Sequence, residues 1–301
     1  MTLQEQNNKP LYFVIGSDNS ESRVIVDLLK KIEANFGYAS TPTSRITPSV
    51  AHLTSDIQKS DGSGLEDLAE IAYRYCVVMV DCAVPAIPVA VHLTHANNKD
   101  FSRFWENSTI GQVCSMLNID RTTRVEQDTN LKTTLNTVAA ATHCLPAAYA
   151  SLCDGVTPDD VLSWRIASRA AYQGVTEEVI AQNIKLAAEI ITHAPRFRIG
   201  KIDVADLNRI RLPREAQDGA AIAELPIVYS GFDVPTKSFK YGIFNGDPMT
   251  TYLWMSTIAK RMRLANIYGA PYRGFAGGYR VKNLEAPKKP KKVGRPPSTK
   301  D

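Results

Sequence analysis

The chain has 301 residues, an ordinary apolar share of 44% and a formal net charge of +4. That length buries a large core and predicts two domains, and no apolar run approaches the ~20 residues of a membrane span. The charge is uneven: residues 286–301 set six Lys and Arg against Asp301 for +5, which leaves −1 on the preceding 285 residues. The opening MTLQEQNNKP has neither the basic start nor the apolar core of a secretory signal. Five cysteines without a C-x-x-C pair predict reduced thiols and a cytoplasmic location.

Taken in order, Leu11 to Ile15 predicts a strand, and Gly16 to Ser20 a polar turn. Glu21 to Ile32 predicts an amphipathic helix with Val24, Ile25, Leu28 and Leu29 on one face and Asn19 or Ser20 as cap. Thr41 to Gly64 is rich in Ser, Thr, Pro, Gly and Asp and reads as a loop-rich insertion. Leu65 to Tyr75 has a helical pattern that feeds an apolar run, Val77 to Val80, ending in Asp81. A second β-branched run, Val89 to Val91, ends in a polar cluster with His92, Thr94 and His95. Continuous apolar runs of this length fit strands buried on both faces. Polar groups just past the C-terminal ends of such strands lie where open α/β sheets bind ligands.

Ser108 to Leu117 predicts a capped helix, and Leu131 to Cys153 an Ala- and Leu-rich helical stretch containing His143. Two further helices follow, Asp159–Tyr172 behind T-P-D-D and a second from Thr176 that stops before Pro195. Beyond Pro195 the texture changes to strands at Arg196–Val204, Ile222–Ser230 and Phe239–Phe244 and a helix at Pro248–Leu264. The expected fold is α/β: a mostly parallel sheet flanked by helices over residues 10–194, then a smaller α+β domain over 195–285. Residues 1–9 and the Pro- and Lys-rich 286–301 are expected to be disordered.

Asp18, Asp81, His95 and His143 are the positions that converge from these strand ends. Asp and His together suit a borderline divalent cation, which would polarise a phosphoryl oxygen and activate water. The order of elements resembles the DHH phosphoesterases, in which successive strands end in Asp-bearing motifs and a third ends in Asp-His-His. The segment FSRFWENSTIGQVCSML after the His cluster has the family's loop and helix start, and NIYGAPYRGFAGGYR is similar to the glycine-rich end of the DHH-associated C-terminal domain. The sequence departs from the motifs at Ser20, at Thr94-His95-Ala96 and at Thr142-His143, where the family carries carboxylates.

The resemblance implies metal-dependent phosphoester hydrolysis on a nucleotide or short single-stranded nucleic acid. Metal, expected as Mn²⁺ with Mg²⁺ or Zn²⁺ as alternatives, would sit on Asp18, Asp81 and His95. His95 and His143 would take catalytic roles, and Arg273, Gly277 and Gly278 would bind substrate phosphate. The alternative implied by the missing carboxylates is a relative that binds nucleotide or nucleic acid without cleaving it. Lys291, Lys292, Gly294 and Arg295 of the tail resemble the Gly-Arg-Pro core of an AT-hook and add nucleic acid as an expected partner.

Overall fold

The computed structural model describes residues 9–39, 56–82, 91–96, 101–125, 133–211, 213–233 and 237–280. It is a mixed α/β structure with two six-stranded sheets. In chain order the first half holds β1 (Leu11–Ile15), α1 (Ser20–Lys31), β2 (Asn35–Ala39), β3 (Asp56–Lys59), β4 (Leu65–Asp67), α2 (Leu68–Arg74), β5 (Cys76–Val80) and β6 (Val91–Leu93). Helices α3 (Phe104–Asn107), α4 (Thr109–Leu117), α5 (Leu135–His143), α6 (Leu145–Tyr149), α7 (Pro158–Gln173) and α8 (Glu177–His193) follow.

The first sheet has the order β4-β3-β2-β1-β5-β6. Strands β2, β1, β5 and β6 run parallel, while β3 and β4 add an antiparallel edge. The sheet expected to be mostly parallel is thus a mixed one. Its central strands are buried on both faces, as their unbroken apolar runs require. Phe13, Ile15, Val78 and Val80 face α1, α4 and α5, packing with Ile25, Leu29, Ile110 and Val138. Their neighbours Tyr12, Val14, Val77 and Met79 face the opposite way, against Leu68 and Ile71 of α2. This alternation follows from the two-residue period of a strand. Each such side chain contributes about 1.5–3 kcal/mol on burial.

The chain leaves β1 through α1 to β2 on one side, then returns to β5 on the other. The sheet therefore reverses its winding between β1 and β5. A crevice opens at the C-terminal ends of strands at such a point.

The second half holds β7 (Arg196–Ile199), β8 (Ile202–Asp206), α9 (Ala216–Ile222), β9 (Ile227–Asp233) and β10 (Ser238–Phe244). A helical run follows: α10 (Pro248–Leu253), a π-helical turn (Trp254–Ile258) and α11 (Ala259–Arg261). Strands β11 (Leu264–Ala270) and β12 (Phe275–Arg280) close the second sheet, order β11-β12-β10-β9-β8-β7. Its pairs are antiparallel except β8 with β9. One face packs on Trp254 and Ala259 of the helical run. The other packs Ile227 and Tyr229 against Ile191 of α8 and Ala216 and Ala220 of α9.

Several elements differ from the sequence reading. The strand expected at Arg196–Val204 is a hairpin broken at Gly200, whose φ of +63° suits glycine in a turn. The segment before β9 is helix α9, and Ile222 is its last residue. Leu65 to Asp67 pairs with β3 before α2 begins. The helical stretch through His143 breaks at Cys144, because Pro146 in the first turn of α6 lacks an N–H to continue α5. Residues 1–8, the 83–90 segment leading into β6 and the basic tail lie outside the described residues.

Candidate functional site

Three side chains from three strand-to-helix connections meet at the crevice: Glu21, Asp81 and His95. One ligand-type atom from each lies within 4.8 Å of the other two. Glu21 stands in the first turn of α1, which Asn19 caps through its side chain onto the Ser22 amide at 2.9 Å. Asp81 directly follows β5, and its amide bonds to the Leu93 carbonyl at 2.9 Å. His95 follows β6 on a segment that Gln112 holds by donating Nε2 to the Thr94 carbonyl at 2.8 Å.

The backbone of Asp81 has φ +52°. An aspartate tolerates this left-handed conformation better than most residues, and it turns the chain sharply off the strand end. Gly16 permits the turn: a Cβ there would lie 2.6 Å from the Asp81 carbonyl oxygen. The Asp81 carboxylate accepts from Thr109 Oγ1 at 2.9 Å and from Ser17 Oγ at 3.4 Å.

Glu21 is 1% exposed. Its Oε1 accepts the Ile110 amide at 3.0 Å, at the start of α4. Its Oε2 lies 2.8 Å from His95 Nε2. His95 in turn has Nδ1 3.3 Å from Nδ1 of His143, with the two rings stacked at 5.4 Å.

The electrostatics separate the two carboxylates. Burial pushes Asp81 up, and the Glu21 charge adds to the rise against the opposing pull of His95 and Thr109. Burial acts on Glu21 in the same direction, but His95 beside it, the Ile110 amide and Arg273 together hold it below the ordinary carboxylate range. His143 is driven down to about 3 by burial, then by His95 and Arg273, so its imidazole is neutral at pH 7.

The second half closes the site from above. Arg273, in the short helical turn Pro271–Arg273, donates Nη2 to the Thr142 carbonyl at 3.1 Å and Nε to the His143 carbonyl at 3.3 Å. Two of its five N–H donors are committed to these carbonyls. Burial lowers its pKa, opposed by the charges of Glu21 and Asp81. The cleft between these walls has a volume of about 710 Å³ and is also lined by Thr94, Arg165, Arg169, Phe244 and Phe275. Arg165 pairs with buried Asp218 through two 2.7 Å bonds, and Arg169 pairs with Glu215.

Asp81, His95, His143 and Arg273 therefore share one cleft. Asp18 does not join them: its carboxylate is 55% exposed and faces Arg23 at 3.6 Å. Glu21, three residues on, stands in its place. The signal was available in the sequence, since Glu21 continues the buried stripe of Val24, Ile25 and Leu28 at helical spacing. A carboxylate on the apolar face of a helix must have a partner. Gly277 and Gly278 lie buried inside β12, opposite Gly242 and Tyr241. A Cβ on Gly277 would lie 2.5 Å from Tyr268 Oη, so that glycine makes room for a tyrosine. Gly274 lines the cleft instead. Lys291, Lys292, Gly294 and Arg295 lie outside the described residues.

No family model matches the chain, and no curated protein matches it. Among solved structures it is similar to the pGpG-specific phosphodiesterase PggH of Vibrio cholerae, with 11% identity and a TM-score of 0.40. That similarity spans 89% of this chain and 92% of the other. Among the described residues no helix is long and apolar enough to cross a membrane.

Proposed function

We propose that the cleft binds a nucleotide, or the end of a short single-stranded nucleic acid, and hydrolyses a phosphoester bond with the help of one divalent cation. The observation that carries this reading is the convergence of Glu21, Asp81 and His95 at the ends of parallel strands, inside a cleft that also presents arginine. The donor set fits a cation. Two carboxylates and an imidazole suit Mn²⁺ or Zn²⁺, with Mg²⁺ less favoured because it prefers oxygen alone.

When bound, such a cation polarises a phosphoryl oxygen and lowers the pKa of its water. The chain's own residues do the rest. His143 holds the far nitrogen of His95 and so fixes which nitrogen of His95 faces the cluster, a positioning role. Arg169 and Arg273 supply positive charge to the phosphate. Phe244 and Phe275 give the cleft an apolar wall that excludes water and accepts a base face.

The test combines metal analysis of the purified protein with release of mononucleotide from short oligonucleotides in Mn²⁺. Asp81→Ala should abolish both the bound metal and the release. Hydrolysis that survives this substitution, or none with any of the three ions, defeats the proposal. A second reading, binding without cleavage, is favoured by the presence of only two carboxylates in the cluster. It predicts salt-dependent nucleotide or nucleic-acid binding with no turnover.

A further inference from the structure

Cys144 and Cys153 are both buried and unbonded, and their sulfurs lie 3.3 Å apart. Cys144 forms the corner where α5 ends and α6 begins. Cys153 lies beyond α6, where the Leu152 amide bonds back to the Ala147 carbonyl at 2.9 Å. The two thiols thus sit at the two ends of α6. A covalent S–S bond needs an approach of only ~1.3 Å, to about 2.05 Å.

A cavity of about 440 Å³, which shares Arg273 with the Glu21 cleft, reaches the Cys144 end of the pair and is lined there also by Phe101, Ala147, Leu152 and Tyr272; Cys153 does not line it. Its walls are mostly apolar, and it admits a molecule of the size of a peroxide. Cys76, Cys82 and Cys114 do not line this cavity.

We propose that Cys144 and Cys153 are a reversible redox modification site, closed to a disulfide by a small peroxide. The sulfur of one thiol of the pair attacks one peroxide oxygen, its proton passes to the departing hydroxide, the O–O bond breaks, and water leaves a sulfenic acid. The second sulfur then attacks that sulfur, the S–O bond breaks, and a second water leaves. Two thiols are oxidised by two electrons and one peroxide is reduced to two waters. The bond staples α6 across its length. It also stiffens the α5–α6 corner, whose preceding two carbonyls hold Arg273. A small thiol reverses the closure by exchange.

The full chain is treated with hydrogen peroxide in native buffer, denatured in an alkylating reagent and mapped by mass spectrometry. The expected result is a loss of two hydrogens, about 2 Da, in a linked peptide pair carrying Cys144 and Cys153, restored by dithiothreitol. Cys76, Cys82 and Cys114 remain alkylated. Closing this short loop should raise the melting temperature by about 5 °C in the wild type and not at all in Cys153→Ser. Full alkylation of both cysteines after peroxide, a link to any other cysteine, or sulfinic acid without a link overturns the proposal. Mapping of the wild type decides the matter even where the serine variant fails to fold.

Discussion

The pair Arg165 and Asp218 joins helix α7 to helix α9, and Asp218→Asn tests how firmly the two halves are held. Arg165 donates Nε and Nη2 to the two Asp218 oxygens at 2.7 Å each, and Tyr149 Oη donates to Oδ1 at 3.1 Å. Asp218 is fully buried and the Arg165 side chain is 8% exposed. The asparagine removes the charge but keeps the shape, so a buried guanidinium loses its counter-ion. Breaking such a pair from one side costs about 3–5 kcal/mol, because the remaining charge stays desolvated. Replacing both residues together, Arg165→Met with Asp218→Leu, should recover most of that loss, since an apolar pair of similar volume has no charge to desolvate. Denaturant unfolding of the wild type, Arg165→Met, Asp218→Leu and the double variant in a double-mutant cycle measures the coupling directly. Additive single-variant costs, with coupling below about 0.5 kcal/mol, would refute the reasoning and show that the pair contributes no more than an exposed one.

Further outcomes follow from the site. Glu21→Gln keeps a hydrogen-bond acceptor for the Ile110 amide but removes the charge, and metal affinity by titration calorimetry should fall at least about tenfold. Gly16→Ala places a methyl group against the Asp81 carbonyl, so it should destabilise by about 1–3 kcal/mol and weaken metal binding, read by thermal melts and metal analysis. His143 sets a pH dependence. Its folded pKa near 3 lies below the ordinary 6.5, so as pH falls through 6.5 the unfolded chain takes up a proton that the folded chain refuses. Stability from this group is therefore full above pH 6.5 and is lost progressively down to pH 3, by up to about 5 kcal/mol. His143→Gln should flatten that part of the stability–pH curve; an unchanged curve would show that His143 is not buried as a neutral ring.

The parts of the fold legible in the sequence are those with strong local periodicity. Strands β1 and β5 announce themselves by unbroken apolar runs, and α1 and α7 by amphipathic stripes with caps. From these, the crevice at Asp81 and His95 follows by topology alone. Strand β2, NFGYA, carries no such signal, because a glycine and an asparagine dilute its pattern and its pairing with β1 is what makes it a strand. Helix α9 is similarly hidden: AQDGAAI is only seven residues long and Asp218-Gly219 interrupts its good helix formers, and Gly219 serves a tight approach to Ala187 of α8. At the site, motif order favoured Asp18, whereas burial selects Glu21. Spacing along the chain does not say which of two neighbouring acids points inward, but the helix period does. Gly277 and Gly278, a pair that resembles a phosphate loop, lie within β12, Gly277 against Tyr268 and Gly278 against Leu264.

The Arg273 contacts have a consequence for access to the cleft. The last turn of a helix leaves carbonyls without partners and concentrates partial negative charge there. In α5 those carbonyls belong to Thr142 and His143, and the cation that satisfies them arrives from 130 residues further along the chain. Arg273 is thus a helix cap supplied in trans by the other half. Separating the halves uncaps α5 and forfeits two charge-assisted bonds, about 1.5–3 kcal/mol each. The arginine that lines the cleft is accordingly also a tie between the two halves.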